Sequence, residues 1–230
     1  SAFVNVKNLQ EAFTNINQLL NTSAKINKDI LEDYTQLTKQ AGFSEELLNN
    51  ITKLSLTQSK TQKQLLLTPY SEVEFIKKQT GLLLNTKKIL EDINKISAGS
   101  AAAMGNQVDS LVKAVAMATT LGTSIEKIEQ ASQSLLNFES SIGAELEAQL
   151  MTGKDINLDK AREFALQGNL AKVAKEIKEQ VGSLSEFQKL NILQADSLAR
   201  AVGMTRDELA ASLLNQEAMT KLSGIEGKNA

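Results

Sequence analysis

The sequence has no histidine, no cysteine and no tryptophan, and it has one proline in 230 residues. Without cysteine there is no disulfide, no thiolate nucleophile and no thiolate metal site. Without histidine, the usual general base near neutral pH and the commonest transition-metal ligand are both missing. Any catalysis would rest on Asp, Glu, Lys, Tyr, Ser or Thr, and any metal on oxygen ligands. Aromatic residues make up only 4% of the chain, fewer than the alternating Tyr, Phe and Val of a β-sandwich normally require. An excess of charge is lacking too: 25 basic residues face 27 acidic ones, for a net charge of −2. Residues 1–100 carry 12 basic and 10 acidic groups and the remainder 13 and 17, so neither half is a charged tail. That balance leaves no electrostatic footprint for a nucleic acid or an anionic membrane, and no nucleic-acid sequence recognition is expected.

Long hydrophobic runs are also absent. None reaches the ~18–20 residues of a membrane-spanning helix. The least polar stretch, Ala98 to Gly122, is interrupted by Asn106, Gln107, Asp109 and Lys113, so no stable membrane span is expected. No signal peptide is visible. The chain opens Ser-Ala-Phe-Val without an initiator methionine, which reads as a segment or processed product of something longer.

What is present is helical. The composition favours Leu, Ala, Lys, Glu, Gln, Asn, Ser and Thr, and apolar residues recur at a spacing near ~3.6. The predicted fold class is all-α. Leu9, Phe13, Ile16, Leu20, Ser23, Asn27, Ile30, Tyr34, Leu37 and Ala41 keep a 4-3-4-3 rhythm, a heptad seam with two polar members. A helix over residues 3–41 would be ~58 Å long. It needs a partner along its length, either its own domain or another copy in a coiled coil.

Glycines punctuate the rest of the chain. Gly42 precedes Ser44-Glu45-Glu46, and Gly122, Gly182 and Gly203 precede Thr123…Glu126, Ser183…Glu186 and Thr205…Glu208. Each is a helix stop and then a capped start, the last three with capping-box spacing. Phe43 and Met204, just before their caps, are placed to staple onto Leu48 and Leu209. Thr68-Pro69 is expected to close a helix over 44–67, whose polar middle, 57–64, reads as exposed or frayed. Ser71 with Glu74 opens another helix to Ser97, with Gly81 a weak point inside it. Residues 98–106, small and uncharged, read as a hinge. Further helices are expected at 107–121, 124–151, 157–167, 170–181, 184–202 and 206–222. The chain thus divides into a long-helix, coiled-coil-like region (1–97), a hinge (98–106), a compact helical module (107–223) and a disordered tail (224–230).

Candidate chemistry fails on inspection. Asp155, Asn157 and Asp159 have the first three ligand positions of a calcium loop, but Lys160 and Leu166 stand where Gly and Glu are needed. Gly99 to Gly105 lacks the Gly-Lys-Ser/Thr ending of a phosphate loop. Glu139, Glu145 and Glu147 lie on one predicted helix, where Glu139 and Glu147 can share a face; acid–base work would require burial to split their pKa values. Lys77, Lys78, Lys87 and Lys88 lack interleaved aromatics and read as a solvated face. Met104, Met117, Met151, Met204 and Met219 read as core filler. No catalytic, cofactor-binding or metal-ligating residue, and no cofactor, is assigned.

Three strings carry a resemblance. Leu135 to Ile142 reads Leu-Leu-Asn-Phe-Glu-Ser-Ser-Ile, Glu145 to Asn169 reads Glu-Leu-Glu-Ala-Gln-Leu-Met-Thr-Gly-Lys-Asp-Ile-Asn-Leu-Asp-Lys-Ala-Arg-Glu-Phe-Ala-Leu-Gln-Gly-Asn, and the third spans Leu193 to Ala210. Residues 135–217 resemble a segment of the tail tape-measure-like proteins of bacteriophages. Residues 1–97 share only the family's style of long, Asn/Gln/Ser/Thr-rich helices. The resemblance implies a structural, non-enzymatic virion protein that sets tail-tube length or caps the tube. Its implied partners are further copies of itself and tail tube or baseplate proteins, and it would reside in the host cytoplasm during assembly. Such rulers exploit the fixed rise of a helix and leave the tube before the DNA. Members carry lytic domains elsewhere; nothing in this chain resembles one. The reading kept beside it is a membrane-active helical protein, a pore-former or translocator inserting Ala98 to Gly122.

Overall fold

The structure, a computed structural model, describes residues 4–23, 25–58 and 60–229. Parts of the predicted first helix, of the polar stretch 57–64 and of the tail fall on residues 1–3, 24, 59 and 230, outside the described residues. The fold is all-α: among the described residues every regular element is a helix. The first five are α1 (Val6–Leu20), α2 (Lys28–Lys39), α3 (Glu45–Gln58), α4 (Gln62–Thr80) and α5 (Thr86–Glu91), the last running into a 3-10 turn at Asp92–Lys95. Then come α6 (Ala98–Ala103), α7 (Val108–Thr120), α8 (Ile125–Leu136), α9 (Phe138–Thr152) and α10 (Asp159–Leu166). The chain continues through α11 (Leu170–Val181), α12 (Leu184–Phe187), α13 (Ile192–Ala201) and α14 (Arg206–Asn229).

The predicted long helix over 3–41 is instead two helices folded against each other. Asn21 takes a left-handed conformation (φ 48°) and ends α1, with the Thr22 amide bonded back to the Asn17 carbonyl. Asn27 then caps α2 by accepting the Asp29 amide at 2.8 Å. The two polar members of the heptad seam, Ser23 and Asn27, lie in this connection and are exposed. Ile16 and Tyr34, one from each half of the seam, are buried within the fold.

Pro69 lies inside α4 and does not close a helix. The break comes earlier, where Thr61 and Gln64 form a capping box that starts α4 afresh. Gly81, expected inside a helix, is the left-handed stop of α4, and Asn85 caps α5. Later, the predicted helices 124–151 and 184–202 are each divided. Asn137 separates α8 from α9, and an Asn191–Gln194 capping box starts α13.

The expected hinge at 98–106 is a short helix pinned at both ends. The buried Glu129 carboxylate of α8 accepts the Ser97 amide (2.9 Å) and hydroxyl (2.8 Å), while Gln58 of α3 donates to the Asn106 carbonyl at 3.0 Å. The tail, expected disordered from residue 224, continues as helix through Asn229; Gly224 is not in the left-handed region and makes no stop.

One hydrophobic cluster runs from Ala12 to Leu213. At its centre α7 packs against α4 and α11, and Val108, Leu111, Val112 and Val115 are buried. α10 packs on α8 and α11, and α13 lies along α9. α14 clasps the rest. Ser212 Oγ donates to the Leu121 carbonyl at 2.5 Å, Asn215 Nδ2 to the Gly122 carbonyl at 3.0 Å, and the Leu83 amide to Ser223 Oγ at 3.0 Å. At the α7–α8 turn, Gly122 (φ 78°) has no room for a side chain: a Cβ would overlap the Ser212 carbonyl and come within 2.8 Å of the Gln216 nitrogen.

Of the predicted caps, Ser183–Glu186 and Thr205–Glu208 form with both reciprocal hydrogen bonds. At Ser44 the hydroxyl accepts the Leu47 amide, but the carboxylate partner is Glu91, from a distant element. The Thr123–Glu126 box does not form; Ser124 is the N-cap residue of α8, without a side-chain cap.

Candidate functional site

The sequence-derived carboxylates are separated by their surroundings. Glu145 of α9 is buried and ion-paired with the equally buried Arg162 of α10. Arg162 also donates to Ser141 Oγ at 3.1 Å and to Asp159 at 3.0 Å, so its guanidinium is held by three side chains on α9 and α10. Glu147 accepts from Arg200 at 2.8 Å across the α9–α13 contact, and Glu139 is exposed. The three do not converge. The buried pair staples α9 to α10; its desolvation cost is balanced only while both partners remain.

The calcium-like residues are engaged as a helix start. The Asn157 side chain accepts the Asp159 amide at 3.0 Å, Gln180 accepts the Asn157 amide at 3.0 Å, and Asp159 faces Arg162. No group of three or more acidic side chains able to hold a metal occurs among the described residues. Three of the four lysines have separate partners: Lys77 pairs with Glu74 and Lys88 with Asp92, while Lys87 lies over the Phe43 ring at 5.9 Å. Of the methionines, Met204 is buried and Met151 exposed.

The feature missed by these expectations is the outer surface of α9. An amphipathic helix normally turns its apolar stripe inward. The side chains that α9 buries are Ser141, Glu145 and Ala148, two of them polar. Its large apolar residues fall at every fourth position, Phe138, Ile142, Leu146 and Leu150, and are 43%, 45%, 53% and 87% exposed. Because 3.6 residues make a turn, that spacing draws one slowly drifting ridge along a helix side, ~18 Å from end to end. Asn137 makes this possible. By starting a new helix there, the chain frees α9 from the register of α8, which buries Ile125, Ile128, Ala131 and Leu135 conventionally.

The ridge has a neighbour. α13 runs antiparallel to α9, since Gln194 Nε2 donates to the Met151 carbonyl at 2.8 Å while Arg200, further along, reaches Glu147. The first turn of α13, which meets the carboxy-terminal end of α9 through Gln194, exposes Ile192 (70%) and Leu193 (66%). Ile192 also borders an apolar groove of about 630 Å³ between α12, α13 and α14, lined by Leu184, Phe187, Leu190 and Leu214 among others. None of the ridge residues lines this groove. On soluble proteins, contiguous exposed apolar patches often coincide with sites of interaction. The signal was present in the sequence as the run Phe138, Ile142, Leu146, Leu150; it was hidden because a single helix over 124–151 assigns those residues to a core-facing stripe.

No family model, curated protein or solved structure matches the chain.

Proposed function

We propose that the chain is a structural, non-catalytic helical module that docks protein partners through the apolar surface of α9 and the first turn of α13. One observation carries this reading: α9 buries Ser141 and Glu145 and presents Phe138, Ile142, Leu146 and Leu150 to solvent. The engagement of Glu145 by Arg162 and of Glu147 by Arg200 supports the non-catalytic part, since neither carboxylate is left to act with the other.

The finer proposal comes from resemblance. Residues 135–217, which are similar to tail tape-measure-like proteins of bacteriophages, contain the whole ridge and groove. On that basis the module is a phage-tail component and works in the virion with further copies of itself and with tail tube or baseplate proteins. The fold-back of α1 on α2 favours a cap or junction over a measuring rod, because a 15-residue helix reaches only ~22 Å. The membrane-active alternative gains no support. The stretch it requires forms α6 and α7, with α7 buried in the core, and among the described residues no helix is long and apolar enough to cross a membrane.

The test is a photo-crosslinking amino acid at position 150, in the cell that makes the protein, and then mass spectrometry. Discrete adducts with a protein of the same particle, abolished by Leu146→Glu, are expected. Absence of adducts, or adducts indifferent to Leu146→Glu, overturns the docking role.

A further inference from the structure

α1, α2 and the first residue of α3 surround a cavity of about 20 Å³. Nine residues line it, so its walls converge on a space that holds one water-sized body. Thr35 of α2 is one of them. It is 2% exposed, and its Oγ1 is buried with no hydrogen-bond partner among the described residues. A buried hydroxyl in that state is costly unless an occupant meets it. Its neighbours in the wall are already engaged: the Thr38 hydroxyl donates to the Tyr34 carbonyl at 2.6 Å, and the Tyr34 hydroxyl to Asn49 Oδ1 at 3.0 Å.

Charge identifies the occupant. The wall carries two carboxylates, Glu11 and Glu45, and one ammonium, Lys39. Lys39 pairs with Glu11 at 3.2 Å, which leaves Glu45 in no ion pair among the described residues. The charge of Glu45 reaches the buried side: the Tyr34 hydroxyl is pushed above its ordinary 10.0, first by burial and then by Glu45. A water would meet Thr35 and leave that charge uncompensated, whereas a cation answers both. A divalent ion is the poorer fit, because no group of three or more acidic side chains able to hold a metal occurs among the described residues and Glu11 already holds Lys39. We infer that this cavity binds one monovalent cation, sodium or potassium, through the Glu45 carboxylate and the Thr35 hydroxyl. The ion ties the start of α3 to the α1–α2 hairpin. The site is independent of the docking role of α9.

The experiment is thermal denaturation of the purified chain, followed by circular dichroism, in sodium, potassium or choline chloride at one ionic strength of ~0.1 M. Sodium or potassium is expected to raise Tm by about 3 °C over choline, the shift for a chain of this size at roughly ten times the dissociation constant. Thr35→Val and Glu45→Gln, each checked for unchanged helical circular dichroism, should abolish that difference. In choline, Thr35→Val should be no less stable than the parent, because it removes an unpartnered hydroxyl and keeps the shape. The ²³Na resonance should broaden with the parent chain and stay sharp with Glu45→Gln, a readout that needs no unfolding. Equal Tm values in all three salts overturn the inference and leave the cavity to water. A sodium or potassium effect that persists in both variants is a general salt effect and overturns it too. So does a Tm raised by millimolar calcium and by neither alkali ion.

Discussion

α1 and α7 end by the same backbone motif built from different residues. At Gly122 the Thr123 amide returns to the Ala118 carbonyl and the Gly122 amide to Thr119; at Asn21 the Thr22 amide returns to Asn17 and the Asn21 amide to Gln18. Both residues are left-handed, at φ 78° and 48°. Glycine does this at no steric cost, whereas asparagine is one of the few other residues that tolerates it. The difference lies in what surrounds the stop. Gly122 is pressed against the backbone of α14, while Asn21 is exposed and bounds a shallow polar groove beside Asn17, Gln18 and Thr22. The same local geometry is thus a packing requirement in one region and only a chain reversal in the other.

The largest effect that breaks this comparison is expected at the buried stop. Gly122→Ala combines a positive φ with overlap of backbone atoms, so a loss of ~4 kcal/mol or more is expected in chemical denaturation, or failure to fold. Gly81→Ala, at the α4 stop, also forces a positive φ but meets nothing within 4 Å; it should cost only ~1 kcal/mol. Equal losses at the two sites would show that α14 does not press on the α7–α8 turn.

Next comes the contrast in ion pairs. Arg162→Leu leaves Glu145 buried without its cation and is expected to cost ~3–5 kcal/mol, most of it recovered when Glu145→Leu is added. Lys39→Met, which removes the exposed partner of Glu11 between α2 and α1, should cost less than ~1 kcal/mol in chemical denaturation. Recovery in the double variant is the sharper reading, because it separates loss of a partner from loss of volume.

These contrasts also explain what was legible beforehand. Helix as the only element, and stops at Gly42, Gly122, Gly182 and Gly203, came from composition and from residues with few alternative roles; all four glycines have positive φ. The hairpin of α1 and α2 was not legible. Seven positions separate Leu20 from Asn27, one heptad, so the seam keeps its phase across the reversal and periodicity alone cannot distinguish a rod from a hairpin. Asparagine stops at Asn21 and Asn137 were overlooked because asparagine also sits comfortably on a solvated helix face. Pro69 misled in the opposite direction, since Thr61 had already restarted the helix upstream. The α9 ridge was hidden by the misplaced boundary at Asn137. The Glu145–Arg162 pair joins residues 17 apart, and nothing local announces such a pairing.

Smaller effects sharpen the account of the caps. Asn21→Ala or Asn27→Ala should each cost ~1 kcal/mol by thermal denaturation, the ordinary worth of a left-handed stop or an N-cap. Glu208 adds a pH signature. The Lys127 side chain, and then the Thr205 amide, hold its carboxyl at about 2 against an ordinary 4.5. A depressed carboxyl stabilises the fold above its unfolded value, and that contribution disappears as pH falls from 4.5 to about 2. The side chain is 30% exposed and screened by water, so the contribution at neutral pH is ~1 kcal/mol. Glu208→Gln should therefore lower Tm at pH 7 and leave it unchanged near pH 2; a constant difference at both would separate the cap from its charge.

The clasp made by α14 has a kinetic consequence. Its hydrogen bonds to Leu121, Gly122 and Leu83 join residues 91, 93 and 140 positions apart. Each closes a long loop whose entropy must be spent before the bond forms, whereas the hairpins that precede it close over a few residues. The order of assembly is then set: local helix pairs first, the carboxy-terminal helix last. A chain still growing, or one cut short before residue 212, would leave the α7–α8 turn uncovered, its Leu121 and Gly122 carbonyls without their α14 donors.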